Sequence, residues 1–216
     1  FEKVPPEERP PYPFLWQLQR RNLEETLQAF LEWEIETATG FIPTGFEVAF
    51  GFSKAAGAPV PLSLPSGEIL YFQGRIDRID RYGNRIRVID YKTGRKRIKN
   101  ESLAGGEALQ LPVYLLAASH LYNLAEPAAA EAYNYYLSPT GVKTVLFTGE
   151  AWPQKEMLLQ EAVEIIDKGI AAGHFFPYPN PGCRYCDYSP VCGPEIERTY
   201  RQKAADPLLA PFLKLK

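Results

Sequence analysis

Net charge is almost absent from this sequence: 24 lysines and arginines stand against 26 acids, leaving −2. That excludes a global basic field, so affinity for a polyanion has to come from a local basic strip. No apolar run approaches the roughly 18–20 residues needed to span a bilayer. The opening segment, Phe1 to Pro13, is polar and proline-rich, unlike a secretory leader. The chain starts on Phe1 and not on Met, and we expect upstream elements to lie outside it. Cysteine is scarce: the 3 present all fall between Cys183 and Cys192. An odd, clustered set points to metal ligation in a reducing compartment, expected to be the cytoplasm, more than to a disulfide framework. Internal repeats are lacking. So is a G-x-x-x-x-G-K-[ST] loop, which places any nucleotide-driven motor elsewhere.

What is present suffices for one domain. The chain has 216 residues, 45 % of them hydrophobic and 13 % aromatic, enough for a real core. Residues 1–13 carry Pro5, Pro6, Pro10, Pro11 and Pro13 and read as an extended lead-in. Leu15, Leu18, Leu23, Leu27, Phe30, Leu31 and Ile35 recur at near-helical spacing over 14–38, predicting an amphipathic helix, ended by Gly40 and Pro43. Alternation predicts a strand over 46–52. Residues 53–67, rich in Gly, Pro and Ser, read as a loop. Two β-rich runs, 68–82 and 85–93, flank Gly83-Asn84, a hairpin signal. Residues 107–123 read as a helix, with Pro112 tolerated in its first turn. A second strand pair follows over 129–137 and 142–148, then a helix over 153–172 with Met157, Leu158, Ala162, Ile165, Ile166 and Ile170 on its apolar side. Residues 176–193 form a Pro/Cys loop, with a short helix to about 204. This order predicts an α/β sandwich around a mixed sheet flanked by helices.

The hairpin carries the chemistry. A two-residue turn at Gly83-Asn84 makes Tyr82 face Arg85, Ile79 face Val88, Asp80 face Arg87 and Asp77 face Asp90. Two carboxylates facing across a strand pair repel unless something neutralises them. A hard divalent cation such as Mg²⁺ does so, and typically takes one or two carboxylates plus substrate phosphate. Lys92, two residues beyond Asp90, shares its face. Two acids and an amine on one spot suit phosphodiester hydrolysis: the cation activates a water, and the amine offsets charge on the phosphate. The plain alternative is a surface hairpin with scattered charges such as an Asp80–Arg87 pair.

The strings Gly74-Arg-Ile-Asp77-Arg-Ile-Asp80 and Val88-Ile-Asp90-Tyr-Lys92-Thr-Gly94 resemble the G-x-x-D and D-Y-K-[ST] motifs of the RecB/AddB-type PD-(D/E)XK nucleases. Gln110-Leu-Pro-Val-Tyr114 is similar to the family's Q-x-x-x-Y helix. Glu47, in Phe46-Glu-Val-Ala-Phe-Gly51, is similar to an acid on the strand before the core. The resemblance implies a restriction-endonuclease-like fold with a C-terminal Cys-rich loop, the nuclease core over 14–175 and the loop with its short helix over 176–216. It implies a Mg²⁺- or Mn²⁺-dependent, exonuclease-like deoxyribonuclease. Asp77 and Asp90 would be metal ligands, with the Tyr91 carbonyl and Glu47 as further candidates. Lys92 would be catalytic, with Gln110 and Tyr114 beside the DNA or the metal. The implied setting is a helicase–nuclease in double-strand-break repair, with DNA as substrate and a helicase partner. Many members carry a metal-binding His on a helix upstream of this region. Neither His120, read as packed, nor His174, following a helix end at Gly173, matches it.

Cys183, Cys186 and Cys192 have C-x2-C-x5-C spacing, three ligands where a structural zinc or an iron–sulfur cluster wants four. His174 could complete a zinc site. In AddB-like relatives such a triplet resembles three of the four ligands of a [4Fe–4S] cluster, which implies a fourth cysteine upstream. Free loop cysteines are the alternative. The basic run 92–99 (KTGRKRIK) is a candidate DNA-guiding loop or a solvated one, and Arg75, Arg78 and Arg81 add positive charge near the hairpin. Tyr133, Tyr135 and Tyr136 read as strand packing. The competing functions are a catalytically inactive DNA-binding module of the same fold and a cysteine-metal interaction domain with an incidental hairpin.

Overall fold

The computed structural model describes residues 4–5, 12–52, 57–93, 103–106, 108–124 and 129–215. Residues 94–99 of the basic run lie outside them. Helix α1 spans Pro13–Glu36, followed by strands β1 (Ile42–Phe50), β2 (Val60–Ser63), β3 (Ile69–Phe72), β4 (Gly74–Tyr82) and β5 (Arg85–Lys92). Helix α2 (Gln110–Leu121) precedes β6 (Ala130–Ser138) and β7 (Gly141–Thr148). Helix α3 (Trp152–Ala171) leads to the short helices α4 (Ser189–Cys192), α5 (Ile196–Lys203) and α6 (Ala210–Lys214). The main sheet is five-stranded, in the order β1-β4-β5-β6-β7, and a second sheet pairs β2 with β3. β5 and β6 run parallel; the other neighbours in the main sheet are antiparallel. A parallel pair needs a crossover, and α2 supplies it.

The sequence divides into two compact units. One comprises Phe1–Val60, Tyr71–Ile98 and Gln110–Trp152; the other Pro61–Leu70, Lys99–Leu109 and Pro153–Lys216. The first holds the sheet with α1 and α2. Adjacent residues of a strand point to opposite faces, and the two helices use this. Asp90 of β5 bonds to Gln110 of α2, while the neighbouring Tyr91 meets Phe30 of α1, ring centroids 5.6 Å apart. So α2 and α1 cover opposite faces of the sheet. Under α2 lie Ile79, Ile86, Val88 and Ala132, with Leu111 and Leu115 of the helix, all buried. The second unit buries Leu159, Ala162, Val163 and Leu209, and Phe176 meets Phe212 edge-on at 5.8 Å.

Three elements differ from the sequence reading. The run 68–82 is split, because Gly74 begins a strand of the main sheet and pairs with Phe50. Segment 53–67, read as loop, contains β2, disguised by Pro59 before it and Pro61 within it. On α1 the expected apolar face is largely outward: Leu23, Leu27, Leu31 and Ile35 are exposed, and the helix meets the sheet instead through Phe30 and Trp33.

Gly74 has a steric reason. A Cβ there would lie 2.8 Å from Phe50 Cζ and 3.0 Å from its Cε1, and that ring is fully buried. Gly74→Ala is expected to overpack this point and cost about 1–3 kcal/mol, read as a lower urea midpoint at unchanged m-value. An unchanged midpoint would show that the Phe50 ring gives way freely.

Candidate active site

The turn at Gly83-Asn84 sets the geometry. Gly83 has φ +57° and Asn84 does not share a positive φ, the pattern of a type II′ hairpin. The ladder pairs Tyr82 with Arg85, Ile79 with Val88, Asp80 with Arg87 and Arg78 with Ile89. The ladder ends at Arg78 and Ile89, one residue short of Asp77 and Asp90. Beyond it the Asp77 carboxylate takes over from the backbone: its Oδ2 accepts from the Tyr91 N–H at 2.9 Å.

On the α2 face four side chains join. Gln110 Nε2 donates to Asp90 Oδ1 at 2.8 Å and to the Tyr114 hydroxyl at 3.1 Å. Its Oε1 accepts from Lys92 Nζ at 2.8 Å, so the orientation of this amide is set from both ends. Lys92 Nζ also stands 2.5 Å from Asp90 Oδ2. The Tyr114 hydroxyl donates to the Arg75 carbonyl at 2.7 Å, tying α2 to β4. Asp90 is 3 % exposed. Burial pushes its carboxyl above the usual carboxylate range, Lys92 pulls it back, and the Asp77 charge adds to the rise. Burial likewise raises the Tyr114 phenol.

The carboxylates suit a hard cation. The buried Asp90 Oδ2 is ion-paired with the Lys92 ammonium and has no other partner among the described residues. A carboxylate oxygen with one partner keeps a second lone pair for a cation. Asp77 keeps its second oxygen. Among the described residues no three His, Cys, Asp or Glu side chains are grouped to hold a metal ion, so water and substrate would complete the coordination of any cation here.

Other sequence candidates are not among these four bonded side chains. Glu47 falls opposite Asp77 in the β1–β4 register, but its φ of +51° turns it out of the ladder. Its side chain is exposed and pairs with Arg75 at 3.5 Å. His120 is exposed, not packed. His174 is half-buried beside Phe176. Asp80 does not bond Arg87 on the surface: it is buried and held by Arg78, while Arg87 turns to Glu131 at 3.0 Å. Arg78 is therefore not a free surface cation. Cys183, Cys186 and Cys192 line one cavity of about 330 Å³.

Sequence reasoning passed over Asn134. It pairs with Asp90 in the parallel β5–β6 register, is buried, and its Oδ1 has no hydrogen-bond partner. The signal was a polar residue at a position where alternation with Ala130, Ala132 and Tyr136 points inward.

The PD-(D/E)XK nuclease superfamily model matches residues 1–193. The chain belongs to that superfamily. The mixed sheet, with the site where β4 and β5 part beneath α2, is its restriction-endonuclease-like fold. Among curated proteins, this PD-(D/E)XK chain is similar to an ATP-dependent helicase/deoxyribonuclease subunit of Clostridium perfringens, strain SM101. The two are 48 % identical over 73 residues, 32 % of this chain and 6 % of that protein. It is similar also to the equivalent helicase/deoxyribonuclease protein of Symbiobacterium thermophilum, 35 % identical over 113 residues, 50 % of this chain and 10 % of that one. The chain thus corresponds to a small part of these relatives. A solved structure titled "Crystal structure of SSO0001" matches with a TM-score of 0.43 and 19 % identity, over 79 % of this chain and 68 % of that one. Among the described residues no helix is long and apolar enough to cross a membrane.

Proposed function

We propose that this chain is the nuclease domain of a helicase–nuclease, hydrolysing DNA phosphodiester bonds with Mg²⁺ or Mn²⁺ held by Asp77 and Asp90. One observation carries the reading: Asp90, Lys92, Gln110 and Tyr114 form a single bonded group around a buried Asp90 carboxylate, whose Oδ1 is held by Gln110 and whose Oδ2 faces only the Lys92 ammonium. A divalent cation, when bound, polarises the phosphate and lowers the pKa of a water. The Tyr91 carbonyl, next to the N–H that anchors Asp77, is a third candidate ligand. Lys92 orients the attacking water or offsets phosphate charge. Gln110 keeps Lys92 and Asp90 in register, and Tyr114 anchors Gln110. The helicase association is supported by the names the relatives carry, and the break-repair setting by the motif resemblance.

The test is cleavage of single- and double-stranded DNA with Mg²⁺, Mn²⁺ or EDTA. Lys92→Ala is expected to cut about 10²–10³-fold more slowly with an unaltered circular dichroism spectrum. Equal rates for Lys92→Ala and wild type would overturn the assignment.

Cys183, Cys186 and Cys192 line one cavity without being drawn into a metal-holding group among the described residues; thiolates are the donor type an iron–sulfur cluster takes. The cluster would staple the C-terminal loop to a region that carries the fourth cysteine. The 216-residue chain, purified alone, is expected to hold iron and sulfide well below stoichiometry. Full occupancy would show that three cysteines suffice.

A further inference from the structure

We propose that Arg78 is a positioning residue for the divalent-cation site, acting through Tyr91 from the opposite face of the sheet. The inference rests on the metal-dependent reading above. Arg78 is 6 % exposed, on the α1 face. Its Nε and Nη2 donate to the two Asp80 oxygens at 2.6 and 2.8 Å. Its Nη1 donates to Glu34 of α1 at 2.8 Å and to the Tyr91 hydroxyl at 3.2 Å. The planar guanidinium is thereby fixed on three sides.

Tyr91 is the link. It lies between Asp90 and Lys92 in sequence, and its ring sits edge-on to Phe30 at 5.6 Å and to Tyr135 at 6.2 Å. The ring contacts restrict where the side chain lies, and the Arg78 bond fixes how far along the strand its hydroxyl reaches. On the other side of the same residue, the backbone N–H holds Asp77 Oδ2 at 2.9 Å. A strand residue held at both its side-chain tip and its N–H cannot rotate without moving the other group. The rotation of β5 at Tyr91 sets where the Asp77 carboxylate, the Tyr91 carbonyl and the flanking Asp90 point. Partners outside the ligand shell that orient ligands in this way are commonly worth about 10–100-fold in metal affinity.

The experiment measures Mn²⁺ affinity without DNA, from the electron paramagnetic resonance signal of free Mn²⁺, beside the Mg²⁺ concentration that half-saturates cleavage. Tyr91→Phe keeps the ring and removes the Arg78 bond. It is expected to weaken Mn²⁺ binding about 10-fold or more and to raise the half-saturating Mg²⁺ concentration in proportion, while the melting temperature in EDTA stays near wild type. Arg78→Lys keeps the charge and loses the fork. Its effect on Mn²⁺ affinity should not add to that of Tyr91→Phe in the double variant, because both remove the Arg78–Tyr91 bond. Mn²⁺ affinity within about twofold of wild type for Tyr91→Phe, or additive losses in the double variant, would overturn the proposal while leaving the nuclease reading in place. A wild-type chain that neither binds Mn²⁺ nor cuts DNA would overturn both.

Discussion

Asp90→Asn is expected to abolish metal-dependent cleavage, by roughly 10³-fold or more, and at the same time to raise the melting temperature of the metal-free chain at neutral pH. The two effects share a cause. The buried Asp90 carboxyl is pushed above the usual range chiefly by burial, and the Lys92 ammonium only partly offsets this. In the unfolded chain the same carboxyl has its ordinary pKa. As pH rises from that ordinary value through the raised one, the unfolded state gives up its proton first, so the folded state binds more protons. Stability of the metal-free protein therefore falls across that window. Asparagine carries no charge to bury and can keep the bond from Gln110 by turning its amide. It lacks the anionic oxygen a cation needs. Thermal melts in EDTA from acidic to neutral pH should show the wild type losing stability across the window and Asp90→Asn holding steady. If Asp90→Asn melts below wild type at every pH, the lost Lys92 ion pair outweighs burial, and the site stores no such cost.

Asp80→Ala is expected to be the most destabilising single change in the sheet, by about 3–5 kcal/mol. Both its oxygens bind Arg78, and neither residue is solvated. Removing the carboxylate leaves a buried guanidinium with only Glu34 to balance it. The protein holds Arg78 charged: burial opposes that charge, but the bonds from Asp80, Tyr91 and Glu34 outweigh it and lift the pKa above its ordinary value. The guanidinium cannot escape the cost by losing its proton. For a chain of this size the loss corresponds to a fall of roughly 6–20 °C in melting temperature. Replacing Arg78 and Asp80 together by leucine or methionine should restore much of it, because the pair's desolvation disappears with the pair. A loss under about 1 kcal/mol for Asp80→Ala would mean that the network is wet and behaves as a surface ion pair.

Parts of the site were legible locally. Gly83-Asn84 is a two-residue turn, and such a turn leaves little freedom in register. Alternation then places Asp77, Asp90 and Lys92 on one face. Gln110 and Tyr114 were named from a motif, but nothing in their own neighbourhood says that they reach Asp90 and Lys92. That depends on where the crossover helix lands. The Asp80 contact was misjudged for a related reason. Register put Arg87 across from it, and Arg87 is across from it, yet the carboxylate bonds along its own strand to Arg78. Arg78 and Asp80 share a face, and α1 covers that face, so the nearest cation that could stay dry won. Asn134 went unnoticed among tyrosines because its meaning lies in the strand beside it.

The amino-acid order alone determined the hairpin, its register from Tyr82–Arg85 to Arg78–Ile89 and the face that Asp90 shares with Lys92, since turn chemistry and the two-residue period of a strand act over a few residues. Tertiary structure decided everything that depends on what covers each face: that Gln110 bridges Lys92 and Asp90, that Asp90 is dry enough for its charge to be costly, and that Arg78 is a buried clamp and not a surface cation. Burial and long-range contact are properties of packed layers, and no short stretch of chain encodes which layer will lie above it.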